Sequence, residues 1–418
     1  MTKRFWLAVA CFAWGVGAVG NAGAAELRAG VAVRIVTPNP LLPVSGGVGV
    51  PDPVQRKDGE LTVRALVLAS GETKVAIVST DFLGFPAVLG DRARARVKGI
   101  APENILIAAT HTHSAPDPYA FADEQGRTGA DLKYLGTVAD RVAEVIQEAA
   151  DRLVPAEVRI AAGEAKGKIA YNAYAEALFD PTCAVIQVRE PGGKAIATLV
   201  NYAVHPEVFG SRSGTCSPDL VGPLYDRLAE KGAGVGIFIN GAQGGMVTAD
   251  NRGPDGRDVG TWAECVRIGN RLADEALRIV EHAPAEPEPR LACHARRVKF
   301  PVESPILRAV LGASPMGYKT DEQGRVETQV NLVQFGSARI LTIPGEALPN
   351  VGAYLKRHLG GKPSVLFGLT NDAFGYILSK EDWSAFPRYG YISRTSPGER
   401  TAEILEAAAA DLVAVAGH

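Results

Sequence analysis

Along the chain, short apolar runs alternate with longer stretches in which apolar residues recur every third or fourth position. Thr62 to Ala69 (TVRALVLA) and Thr73 to Val78 (TKVAIV) are rich in β-branched residues, and Ser70-Gly71-Glu72 between them is a turn signal. The three together predict a hairpin. Asn104 to Ala109 (NILIAA) predicts a buried strand that stops abruptly at Thr110-His111-Thr112-His113. From Leu132 to Arg152, Val138, Val142, Val145, Ile146 and Ala149 fall on one helical face, so this stretch predicts a long amphipathic helix.

The same logic recurs downstream. Cys183 to Val188 (CAVIQV) and Ala195 to Val200 (AIATLV) flank Pro191-Gly192-Gly193, a second hairpin signal. Asp219 to Lys231 and Glu264 to His282 predict helices, and Val235 to Ile239 (VGIFI) a short strand between them. The Pro-rich segment Ala283 to Pro289 reads as a connector. Beyond it come strands at Cys293 to Phe300, Gln329 to Phe335 and Ala338 to Ile343, then helices at Leu348 to Leu359 and Glu399 to Val415. Hairpins mixed with long helices predict an α/β fold with mixed β-sheets and flanking helices, as one large domain over residues 25–418. No sequence repeat is visible.

Charge changes the picture by exclusion. Lys plus Arg is 44 and Asp plus Glu is 46 in 418 residues, for a net −2, with no basic block. A nucleic-acid-binding surface would need a basic stripe, and none is present. At the N-terminus Lys3 and Arg4 precede an apolar run from Phe5 to Val19, followed by Ala22-Gly23-Ala24. That is the pattern of a cleaved signal peptide over residues 1–24, which predicts a periplasmic or secreted protein. The run is too short to span a bilayer comfortably, and no later stretch is long enough. Cys11 leaves with the signal; Cys183, Cys216, Cys265 and Cys293 permit two disulfides or equally four buried thiols.

The chemistry-bearing residues sit where buried strands end. His111 and His113 directly follow NILIAA, and strand alternation would point both imidazoles to one side. Neutral imidazole is a strong zinc ligand, although hydrogen-bonded structural histidines suit the same positions. His205 ends ATLVNYAV in the same way; of the seven histidines, three end apolar strands. Glu346 follows Leu341-Thr342-Ile343-Pro344-Gly345, where a carboxylate could complement two imidazoles on zinc or favour the helix that follows. Asn240 to Met246 (NGAQGGM) is a glycine-rich loop that could present backbone N–H groups to an anion or simply turn the chain. It lacks the GK[ST] of a phosphate-binding loop.

Five separated segments together resemble the neutral, non-lysosomal ceramidase-like hydrolases. They are AGVAVRIVTP from Ala29, ATHTHSAP from Ala109, NYAVHPEVF from Asn201, IPGEALPN from Ile343 and NDAFGYI from Asn371. The resemblance implies a zinc-dependent amidase that hydrolyses an N-acyl bond, possibly ceramide-like, with one Zn2+ per chain and a water activated by the metal. It implies His111, His205, Glu346 and Tyr376 as metal ligands and His113 as the catalytic acid–base or oxyanion group. Ala115 stands where the family has glycine, and Val247 where it has a serine, with Thr248 and Ser217 as the nearest replacements. Only 42 residues follow Tyr376, so the expected form is the catalytic domain without the family's immunoglobulin-like one. The partner implied is a small-molecule or lipid-like N-acyl substrate. An ester or lactone hydrolase on the same site, and a periplasmic binding protein that kept the fold without the chemistry, are the other readings of these residues.

Overall fold

The computed structural model describes residues 26–47, 50–122 and 127–417. The signal segment, residues 1–24, lies outside them. Three sheets share one four-stranded plan. In the first, β1 (Leu27–Ile35), β2 (Thr62–Ser70) and β3 (Thr73–Thr80) form an antiparallel meander. Helix α1 (Ala87–Arg94) then leads to β4 (Ile105–Ala109), which pairs parallel to β3. The second repeats this with β5 (Glu157–Glu164), β6 (Thr182–Arg189), β7 (Ala195–Tyr202), helix α3 (Val221–Glu230) and the parallel strand β8 (Val235–Asn240). The third uses β9 (Leu291–Pro301), β10 (Arg325–Phe335), β11 (Ala338–Thr342), α6 (Pro349–Leu359) and the parallel strand β12 (Ser364–Phe367). A two-residue strand, Val154–Pro155, extends the first sheet beyond β1.

A second helix closes each unit: α2 (Leu132–Asp151), α4 (Trp262–Val280) and α7 (Thr401–Ala416). The repeat is invisible in the residues because each unit shares strand order and periodicity rather than side chains. Both faces of the inner strands of these three sheets are buried. Leu66, Leu106, Leu199, Ile237, Ile340 and Phe367, from all three sheets, share one inner core. The outer faces pack under α1 and α2, under α3 and α4, and under α6 and α7 respectively. Two-sided burial explains why the parallel strands read as continuous apolar runs rather than alternating ones.

The expected mixed sheets with flanking helices are what the chain forms. Four elements escape the periodicity reading: β5, whose exposed face is polar, and the short helices α1 and α5 (Pro305–Ala313), as well as β1, noticed only as a motif. Cys183, Cys216 and Cys265 are buried and Cys293 half-buried, all as free thiols, so the disulfide alternative is not realised among them. No helix among the described residues is long and apolar enough to cross a membrane.

The three parallel strands meet at their C-terminal ends. Ala109 N–H donates to the Leu369 carbonyl (3.1 Å), Asn371 N–H to Ile107 (2.7 Å) and Gly368 N–H to Asn240 (2.9 Å). These bonds draw β4, β8 and β12 together just before the residues that follow them.

Candidate metal centre

His111 leaves β4 with φ of 74°, a left-handed conformation that is uncommon for a residue with a Cβ. Its backbone N–H donates to Phe82 (2.9 Å), and its Nδ1 lies 2.6 Å from the Leu83 carbonyl. A carbonyl only accepts, so Nδ1 carries the proton and Nε2 turns its lone pair inward. His205, just beyond β7, is fixed the same way: Nδ1 lies 2.8 Å from the Val247 carbonyl. Both rings therefore direct Nε2, the atom left for a metal, into the site.

Both Nε2 atoms face one carboxylate oxygen, Glu346 Oε2, at 3.5 Å from His111 and 3.2 Å from His205. That oxygen is buried and accepts no hydrogen bond of ordinary geometry. A desolvated anionic oxygen beside two ring nitrogens costs free energy unless a cation is shared there. The donor set of two imidazoles and a carboxylate suits a divalent metal ion, and zinc is among the ions it fits. His113 completes the cluster: the ligand-type atoms of His111, His113 and His205 all lie within 4.8 Å of one another.

Glu346 and Tyr376 reach the site together. Glu346–Ala347 and Tyr376–Ile377 pair as two short parallel strands with Glu346 opposite Tyr376, and Glu346 N–H donates to Gly375 (2.9 Å). The Tyr376 ring is buried, and burial, reinforced by the Glu346 charge, holds its phenol well above the ordinary range. The structure thus gathers His111, His113, His205, Glu346 and Tyr376, though they span some 265 positions of sequence.

Burial and charge set the titration of the cluster. Burial alone would lower the His205 pKa, but the Glu346 contact and the Glu207 charge outweigh it and raise it to about 9. His113 goes the other way, to about 3, because burial outweighs the attraction of Glu207. Burial would raise Glu346, yet His111 and His205 hold it far below the usual carboxylate range.

Two residues of the site escaped the sequence reading. Glu207 follows His205 by two positions and places its carboxylate 3.4 Å from His113 Nδ1. Asn240 ends β8; its Nδ2 donates to the carbonyls of Thr110 (3.1 Å) and Val204 (2.7 Å), while Oδ1 accepts from Val204 N–H (3.1 Å). It stitches the strand end of His111 to that of His205. Glu207 was findable as a carboxylate beside a strand-end histidine; nothing in sequence marks the stitching role of Asn240.

The glycine loop turns the chain rather than facing a ligand. Gly244 N–H donates to the Ala347 carbonyl (2.9 Å), and none of residues 240–246 lines the adjoining cavity. Val247, in the position of the family serine, is buried and serves through its carbonyl on His205. Ser217 is buried with Oγ accepting from Asp219 N–H (3.0 Å), and Thr248 hydrogen-bonds Glu207. Neither hydroxyl lines the cavity.

That cavity, about 680 Å³, opens on His111, His113, Glu346 and Tyr376. Its other walls include the apolar Leu83, Leu307, Leu311, Met316 and Phe374. The volume falls within the roughly 300–1,000 Å³ typical of small-molecule sites.

Among solved structures, neutral ceramidase from Pseudomonas aeruginosa superposes with a TM-score of 0.77 over 94% of this chain and 74% of that one, at 18% identity. The chain has the neutral ceramidase fold. A second structure, a ceramidase complexed with C2, gives a TM-score of 0.74 over 94% of this chain and 75% of that one, at 16% identity. No family model matches the chain, and neither does any curated protein. At such identity the neutral ceramidase likeness carries the architecture, and the chemistry has to be argued from the site.

Proposed function

We propose that the protein is a zinc-dependent hydrolase of N-acyl amides, holding about one ion per chain, as a mononuclear site of this donor set would. The observation that carries this reading is the convergence of His111 Nε2 and His205 Nε2 on the unbonded Glu346 Oε2 at the wall of an apolar cavity. The neutral ceramidase fold supports the amide as the bond cleaved. In this reading Tyr376 is the fourth protein ligand. When bound, zinc lowers the pKa of water and polarises a carbonyl, so no serine nucleophile is required.

The chain's own groups do the rest. His113 Nε2 is buried without a hydrogen-bond partner, and its ring is more open than the other two, with 15% of the side chain exposed against 4% and 3%. With its pKa pushed down to about 3 by burial, the metal-free imidazole is neutral and keeps a lone pair on Nε2. It takes a proton from the attacking water and returns it to the leaving nitrogen, so the amide and water become a carboxylic acid and an amine. Glu207 behind Nδ1 holds the ring in the tautomer this requires. The apolar walls suit an acyl group. Residues 1–24 support export, with the chemistry taking place in the periplasm or outside the cell.

Elemental analysis of the purified protein should find about one zinc, lost in the His111→Ala, His205→Ala double variant. A panel of N-acyl amides, esters and lactones should show amide turnover that chelation abolishes and zinc restores. Absence of zinc, turnover indifferent to chelation, or a preference for esters would overturn the reading.

A further inference from the structure

The cavity holds a second buried carboxylate that the hydrolytic reading does not use. Asp372 lines the wall with only 8% of its surface exposed. One of its oxygens is committed to the fold: Oδ1 accepts from Ala87 N–H at the start of α1 (3.1 Å) and from Ala373 N–H (3.0 Å). Oδ2 receives no hydrogen bond of ordinary geometry from a described residue; burial raises the carboxyl to about 6, and the nearby Thr328 hydroxyl works against that rise. The neighbouring walls are aromatic. Tyr119, Phe121, Tyr318 and Phe374 line the same cavity; Tyr119 and Phe121 stack with centroids 5.0 Å apart, and Tyr318 Oη donates to the Tyr119 carbonyl (3.0 Å).

The other acids on this cavity are matched. Asp91 pairs with Arg94 (2.8 Å), Glu327 faces Lys299 (3.9 Å), and Glu346 belongs to the histidines. An acceptor oxygen of a mostly buried carboxylate on an aromatic wall discriminates for a ligand that supplies the missing donor. From this we infer that Asp372 is a specificity subsite: the substrate carries a hydrogen-bond donor, hydroxyl or ammonium, on the part that lies against the aromatic wall. Aromatic faces tolerate either group and favour the cation. This rests on the hydrolase reading above, and its test is arranged so that the two can fail separately.

The variant is Asp372→Asn, which keeps Oδ1 as acceptor for α1 and replaces Oδ2 with a donor. Matched N-acyl amides are compared that bear hydrogen, hydroxyl or ammonium at one position of the acyl chain, with thermal unfolding as a check on folding. The zinc-loaded wild type should favour a donor-bearing substrate at least tenfold in kcat/KM, and Asp372→Asn should erase that preference, the loss falling on KM rather than kcat. The hydroxyl and ammonium arms then say which donor it is. Should Asp372→Asn prove too unstable, the preference of the wild type alone decides. Equal or better turnover of the bare substrate overturns the subsite and leaves the hydrolase standing. No turnover of any of the three, with binding of the matched free amine, alcohol and hydrocarbon undiscriminated by calorimetry, overturns both. Binding that discriminates for the donor without turnover supports the subsite and sinks only the hydrolase.

Discussion

The Glu207 carboxylate lies 3.4 Å from Nδ1 of His113, on the side of the imidazole away from its unpartnered Nε2. Glu207 is itself held by Thr248, whose strand, Val247–Ala249, pairs with Ala170–Asn172. Burial would raise the Glu207 carboxyl, but His113 and His205 hold it below its usual value. It is therefore an anion in place to fix the His113 tautomer.

Glu207→Gln should lower kcat by roughly 10- to 100-fold, the usual cost of losing the partner that orients a working histidine. Zinc content should stay near one per chain, because no proposed ligand is touched. Steady-state kinetics with elemental analysis of the same preparation checks this; a fall in zinc that parallels the fall in rate would make Glu207 a support of the metal site instead.

His113 and Tyr376 compete for the place of fourth ligand, since both flank the same centre. His113→Ala should lower kcat by roughly 10²- to 10⁴-fold, as for a positioned acid–base group, while weakening zinc binding by no more than about tenfold. Tyr376→Phe should weaken zinc binding more. A zinc-free His113→Ala protein beside a fully loaded Tyr376→Phe one would show the roles exchanged.

How much of this was legible beforehand follows from what each signal depends on. His111 and His205 stand out because burial makes β4 continuously and β7 largely apolar, so an imidazole at the end is conspicuous. Glu346 was legible as a carboxylate after a strand, and Tyr376 only by motif; their pairing depends on two-residue strands that no periodicity can reveal. The threefold plan and the Asn240 stitch are long-range relations among backbones, which leave no local trace. Asp372 shows the same limit: in sequence it is one more acid in a loop, and only the fold puts it on a cavity wall.

The metal-free centre should release about one proton per zinc bound at pH 7. Glu346 and Glu207 together raise His205 to about 9 against burial, so its imidazole is charged at neutral pH and must give up the Nε2 proton to become a ligand. The sign follows: below pH 9 protons compete with the metal, and apparent affinity rises with pH until His205 is neutral. Calorimetric titration of apoprotein with zinc in buffers of different ionisation enthalpy measures the proton count. A count near zero at pH 7 would mean His205 is already neutral.

Gly244 is a steric test of how Glu346 is placed. A Cβ at this position would lie 2.3 Å from the Glu346 carbonyl oxygen and 2.8 Å from Ala347, both backbone atoms that cannot swing aside. Gly244→Ala should push the Glu346 strand away from the histidines and lower zinc affinity at least tenfold, with all five site residues intact. Isothermal titration beside a circular dichroism spectrum distinguishes a displaced ligand from an unfolded chain; unchanged affinity would show that the Glu346 segment yields freely.

Asp81 gives the clearest prediction on stability. It sits at the end of β3, fully buried, where Oδ2 accepts from Thr62 N–H (2.8 Å) and the Thr62 hydroxyl (2.7 Å), and Oδ1 has no partner. Burial raises its carboxyl from 3.8 to about 6, against the opposing pull of Arg64. A carboxyl raised on folding stabilises the native state fully below pH 3.8, and that contribution is lost as pH rises through 6. Above that the native protein carries an ionised, half-satisfied carboxylate, at a cost of about 3 kcal/mol for a shift of this size. Asp81→Asn retains the acceptor for Thr62, adds a donor and removes the charge. Its Tm relative to the wild type should therefore climb between pH 4 and pH 7.5, with the variant gaining a few degrees over that interval, since about 1 kcal/mol moves Tm by a few degrees in domains of this order. Scanning calorimetry of both proteins across the interval measures the difference; a gap that stays flat, or narrows with rising pH, would show that Asp81 is already ionised at pH 4 and that Arg64 outweighs its burial.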